Sequence, residues 1–116
     1  MCEYKRGQIW MCNLSNKSNG SEQHGKRYCI ILSNNIGNKY APVVTVAFIT
    51  SKDKDKGKRK VQPTHIPIAL HKPSLIMTEQ LQTVSKDRLY NYYGTVDSKK
   101  MEEIDKALMI SLALVN

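Results

Sequence analysis

Arg27 stands where a polar loop meets an apolar segment. The loop, Gly20-Ser21-Glu22-Gln23-His24-Gly25-Lys26, is bounded by glycine and turns basic at its end. Tyr28-Cys29-Ile30-Ile31-Leu32 follows. A buried strand fixes the last side chains of the loop that feeds it. Arginine is always charged, and its planar fork of donors matches a phosphate group. The chemistry suited to this junction is the holding of a phosphate-bearing ligand. A solvated surface arginine would look the same in isolation, so the rest of the chain has to decide.

The charge balance points the same way. Lys and Arg outnumber Asp and Glu by 18 to 10, a net charge of +8 on 116 residues. Such an excess favours a polyanion, most simply nucleic acid. Lys52 to Lys60 holds six basic and two acidic residues, which is +4 and half of the total. This run reads either as a solvated hairpin tip or as an arm over a phosphate chain. The three cysteines, Cys2, Cys12 and Cys29, have no Cys-x-x-Cys spacing, and His24, His65 and His71 lie at no ligand spacing to them. A disulfide framework or a zinc site is not expected, and no cofactor is implied. No segment approaches the ~18 consecutive apolar residues of a membrane span, and the N-terminus lacks an apolar signal core. A reduced, cytoplasmic protein is expected.

Several short strands must position these groups. Gln8–Leu14, Arg27–Leu32 and Val43–Thr50 read as the first three, the third dense in β-branched residues. Asn34, Asn35, Gly37 and Asn38 punctuate a turn between the second and third. Pro63, Ile66, Pro67, Ile68 and Leu70 suggest a short edge strand, since proline cannot donate to a central ladder. Leu75–Val84 reads as a longer strand with a bulge, because its apolar positions change parity between Ile76 and Leu81. Ser85 can cap a short helical turn through Leu89, and Tyr92–Val96 reads as the last strand. Then the period changes. Met101, Ile104, Leu108, Leu112 and Val115 recur at helical spacing after a cap at Asp97 or Ser98. One amphipathic helix is expected, burying Met101, Ile104, Leu108 and Leu112. The length fits one domain, residues 1–116. The whole reads as a small, strongly curved antiparallel barrel with a C-terminal helix.

Seven blocks now stand in order: Arg6-Gly7-Gln8-Ile9-Trp10; Gly20-Ser21-Glu22-Gln23-x-Gly25-x-Arg27; Ser33-Asn34-Asn35-Ile36-Gly37-Asn38; Ala47-Phe48-Ile49-Thr50-Ser51; Pro63-Thr64-His65; Glu79-Gln80-Leu81-x-Thr83-Val84 with Lys86-x-Arg88-Leu89; and Ala107-Leu108-x-Ile110-Ser111-Leu112. Their order and spacing closely resemble the MazF/PemK family of toxins from bacterial toxin–antitoxin pairs. The match runs from Lys5 to Val115.

The resemblance implies a mainly β, SH3-like antiparallel barrel with a C-terminal α-helix, the CcdB/PemK-like toxin fold, acting as a homodimer. It implies a metal-independent endoribonuclease that cuts single-stranded messenger RNA at short motifs, leaving a 2′,3′-cyclic phosphate and a 5′-hydroxyl. It also implies a cognate antitoxin that occupies the RNA groove. The family's catalytic arginine falls on Arg27 and its threonine on Thr50. Its substrate-binding loop falls on Ser21, Glu22 and Gln23, and its groove-lining pair on Glu79 and Gln80. Lys58 and Arg59, in the basic run, are placed on the RNA backbone. Three departures stand out. Tyr28 follows the arginine where the family has proline, Gln82 stands where close relatives are basic, and His24 stands where a small residue is common.

Cleavage of this kind uses the RNA's own 2′-hydroxyl as nucleophile. A base must take its proton, and a donor must neutralise the developing phosphorane. Arg27 suits the second task and is a poor base, since its pKa exceeds about 12. Thr50 supplies a hydroxyl donor, although its β-branched shape alone would also place it in a strand. His24 and Glu22 are the alternatives for the base. His65 and His71, near prolines, read as structural. Tyr28, Tyr40, Tyr90, Tyr92 and Tyr93 suit either base stacking or core and interface packing. Two other readings stay open: a non-catalytic RNA-binding barrel, and a same-fold toxin that poisons a protein such as DNA gyrase.

Overall fold

The computed structural model describes residues 3–14, 25–51 and 63–115. Six strands, β1 (Gln8–Asn13), β2 (Lys26–Ile31), β3 (Val43–Ser51), β4 (His65–Ala69), β5 (Pro73–Ser85) and β6 (Leu89–Thr95), form one sheet in the order β4-β5-β3-β2-β1-β6. Every neighbouring pair is antiparallel. The sheet curls into a half-barrel, and a C-terminal helix, α2 (Ser98–Ser111), packs on it. This is the mainly β, barrel-plus-helix class that the sequence indicates. Among the described residues no helix is long and apolar enough to cross a membrane.

Alternation along the strands sends consecutive residues to opposite faces. Trp10, Cys12, Cys29, Phe48, Val84 and Leu89 form one buried cluster. Their neighbours Ile9, Ile30 and Ile49 belong to a second, with Ile76 and the helix residues Ile104 and Ala107. A β-branched run such as Val43–Thr50 serves both clusters at once, and from Val46 to Thr50 every residue is buried. Proline at position 67 falls on β4, an edge strand, as expected.

The bulge in the long strand is real and wide. Ala47 pairs with Leu81, yet the next β3 residue, Phe48, pairs with Met77. Thr78, Glu79 and Gln80 therefore have no partner on β3. The backbone of Thr78 is satisfied from elsewhere: its N–H donates to the Thr64 carbonyl at 3.1 Å, and the Ser111 hydroxyl donates to its carbonyl at 3.2 Å.

Helix α2 begins as expected. The Asp97 carboxylate accepts from the Lys100 N–H at 2.8 Å, capping an otherwise unpaired donor. Arg6 ties the helix to the chain's beginning. Its guanidinium meets the Asp105 carboxylate at 2.6 Å and donates to the Leu32 carbonyl at 2.8 Å. Gly7, in the turn before β1, has φ +95°, and a side chain there would press on Met101.

Three expectations require correction. The helix stops at Ser111, so Leu112 is its C-cap and is 53% exposed rather than core. Ile104 and Ala107 are the fully buried residues of the helix, with Met101 and Leu108 half-buried at the margin. The Asn34–Asn38 segment is not only a turn. It opens a short helix, α1 (Asn35–Tyr40), because the Asn34 side chain accepts from the Gly37 N–H at 2.7 Å and the buried Asn38 amide donates to the Ser33 carbonyl at 2.8 Å. The last strand also begins earlier than the tyrosines suggest, at Leu89, directly after a single 3-10 turn (Lys86–Arg88) capped by Ser85.

Candidate active site

Arg27 is the second residue of β2, at the rim of the sheet. Cys29 lies opposite Phe48 across β2 and β3. The β2–β3 ladder starts at this pair, and Arg27 lies two residues before Cys29 as Thr50 lies two residues after Phe48. Residues directly opposed in an antiparallel pair point to the same face. The Arg27 guanidinium carbon lies 5.3 Å from the centre of the Phe48 ring, within cation–π reach. Phe48 is fully buried, so the ring beneath the guanidinium is fixed by the core. Thr50 is 9% exposed, at the margin between core and solvent. The fold thus gathers a half-buried cation and a hydroxyl on one face.

The same face carries a second polar pair. His65 lies opposite Met77, which lies opposite Phe48. Glu79, two residues beyond Met77 in the bulge, reaches His65: Oε2 and Nε2 are 2.8 Å apart. The His65 side chain is 2% exposed and that of Glu79 is 36%. Burial, the largest single effect, opposes the Glu79 charge, but the hydrogen bonds and charge around it, led by the bond from His65, together outweigh burial and hold the carboxyl below its ordinary value. Gln80 follows, half-buried, in the same bulge. Thus the bulge orients both residues assigned to the groove. Gln82, the departure further along, is exposed beyond the bulge and opposite Val46.

Tyr28 belongs to the other face and packs against the second cluster. Its ring centre lies 6.2 Å from that of His71 and 5.5 Å from that of Tyr93. Tyr40, Tyr92 and Tyr93 are exposed in the single chain. Ser21, Glu22, Gln23, His24, Lys58 and Arg59 lie outside the described residues. Sequence reasoning passed over His65 and His71 as structural. His65 is indeed buried, yet it holds a site carboxylate. Its place in the Pro63-Thr64-His65 block was the available signal.

The comparisons agree with this fold. Residues 5–112 match the family described as PemK-like, MazF-like toxin of type II toxin-antitoxin system. A relative from Staphylococcus saprophyticus, Endoribonuclease MazF, is 41% identical over 115 residues, covering 95% of this chain and 92% of that protein. A solved mycobacterial endoribonuclease in complex with its cognate antitoxin is 26% identical, with a TM-score of 0.77 and 97% of each chain covered. A crystal structure of MazF from Deinococcus radiodurans is 16% identical, covers 97% of this chain and 99% of that one, and gives the same TM-score of 0.77, a likeness of fold. With a matched model over nearly its whole length and a relative of this identity, the chain belongs to the PemK-like, MazF-like toxins of type II toxin–antitoxin systems.

Proposed function

We propose that this toxin is an endoribonuclease that cuts single-stranded messenger RNA without a metal ion. The observation that supports the reading is the Arg27 guanidinium carbon lying 5.3 Å from the centre of the buried Phe48 ring, on the strand that carries Thr50 two residues further on. The 2′-hydroxyl of the RNA attacks the adjacent phosphorus and gives up its proton. The P–O5′ bond breaks, the leaving oxygen takes a proton, and the products are a 2′,3′-cyclic phosphate and a 5′-hydroxyl. Arg27 clamps two non-bridging oxygens and neutralises the charge that develops on them. Thr50 donates its hydroxyl to the same phosphate. Glu79 and Gln80 line the groove along the strand. Ser21, Glu22 and Gln23, with Lys58 and Arg59, join the RNA contacts on the strength of their place in the sequence, and His24 or Glu22 takes the proton.

The active species is a homodimer in the cytoplasm, and a cognate antitoxin silences it by covering the groove. The antitoxin complex of the mycobacterial endoribonuclease supports this partner class. The test is incubation of the purified protein with a long RNA in EDTA, followed by end analysis. Fragments with 5′-hydroxyl ends are expected. Fragments bearing 5′-phosphate, or none until magnesium is supplied, would refute the mechanism. Intact but retarded RNA would indicate a binding module, and neither outcome a protein-directed poison.

A further inference from the structure

On its other side Arg27 borders a cleft of about 240 Å³. Lys26, Arg27 and Lys72 bring three cations to its wall, and among the described residues no carboxylate lines it. Tyr28 and His71 stand side by side in the same wall. Tyr93 lies outside the lining and meets both rings edge-on, at 76° to Tyr28 and 86° to His71, with centres 5.5 and 5.4 Å away. Two rings braced by a third keep their orientation, which lowers the entropy lost when a ligand stacks on them. Lys26 is steadied too, with its ammonium 5.9 Å from the Tyr90 ring centre.

Cations alone would suit any polyanion, and rings alone any flat apolar group. Together, beside an arginine suited to phosphate, they match a nucleotide unit. We infer that this cleft takes the base of the nucleotide next to the phosphate held by Arg27, with Tyr28 and His71 stacking on it and Lys26 and Lys72 following the backbone. The inference rests on the RNA-cleaving reading and adds a base subsite to it.

The experiment measures binding of a 2′-O-methylated, uncleavable copy of an RNA that the wild-type protein cuts. Tyr28→Ala and His71→Ala are each expected to weaken binding about five- to hundredfold, the effect of one lost base stack. Tyr28→Phe keeps the ring and should bind like wild type. For Tyr28→Ala the dependence of affinity on salt should stay the same, because no cation is removed. In a scan of single abasic positions, one position should abolish the difference between Tyr28→Ala and wild type. The side chain of His71 lies at the surface, so its variant remains informative if Tyr28→Ala fails to fold. Binding by both alanine variants within about twofold of wild type would overturn the subsite and leave the nuclease reading intact. A difference that persists at every abasic position would overturn it as well. Wild-type protein that neither binds nor cuts RNA would overturn both.

Discussion

Arg27 and Tyr28 are consecutive on one strand, yet they serve different faces of the sheet. The Arg27 face is built within the sheet itself: Trp10, Cys29, Phe48 and Leu89 pack on one another across the curl. The Tyr28 face is completed from outside, by α2 laying Ile104 and Ala107 over Ile9, Ile30 and Ile76. Arg27 and Thr50 thus sit over the core that needs no added element, and the helix closes the other. A nuclease gains from this division. The phosphate clamp must be held to within a fraction of an ångström, and a ring inside a continuous sheet core moves little.

The sharpest way to break the first face without touching the second is Arg27→Ala or Thr50→Ala. Each removes a donor from the phosphate and should cost about 100- to 1,000-fold in cleavage rate. Helix and sheet should survive, as circular dichroism and an unchanged melting curve would show. Cleavage within a few-fold of wild type by a folded variant would remove that residue from the mechanism. The converse experiment is Ile104→Ala. Ile104 is 0% exposed, so the lost burial should destabilise the chain by ~2–5 kcal/mol. Denaturant unfolding measures this, and the fraction still folded should cut RNA at the normal rate.

The smallest of the effects concerns Glu79. Its carboxyl is held low in the folded chain, so the stabilisation it gives is complete above the ordinary carboxylate value. It fades as pH falls through the lower, folded value, where the carboxylate takes up a proton. Unfolding followed across the acid range should therefore show a steeper loss in wild type than in Glu79→Gln. The side chain is partly exposed, so solvent limits the size of the difference. Equal slopes would show that the His65 contact contributes nothing to stability.

Much of the first face was legible in advance. The third strand announced itself through its β-branched residues, and the parity change between Ile76 and Leu81 announced the bulge. What placed Glu79 and Gln80 was therefore in the sequence, though not the histidine that holds one of them. The meeting of Glu79 with His65 depends on the register between β4 and β5, which no local pattern encodes. The same holds for Arg27 and Phe48, whose approach depends on how β2 pairs with β3. Leu112 misled for a different reason. Helical spacing continues in the sequence past Ser111, but the helix itself ends there and leaves Leu112 in solvent. The asparagine-rich segment hid a helix because asparagine is a weak helix former, and here its side chains supply the cap and the inner hydrogen bonds. His71 gave no signal at all, since its significance comes from Tyr28 and Tyr93, distant in the chain.

The contact between Arg6 and Asp105 joins residues 99 positions apart. On a ribosome, the first strands emerge well before the helix that covers their second face. Ile30 and Ile76 must face water, or a chaperone, until α2 arrives. Contacts of such long separation slow folding, since the intervening loop must close before anything is gained. A strand-complete but helix-less chain would carry its phosphate clamp on an unfinished body. The interval between synthesis of the arginine and docking of the helix is thus a delay built into the connectivity. During that time the growing chain is sticky and unfinished, and dependent on whatever shields its open sheet.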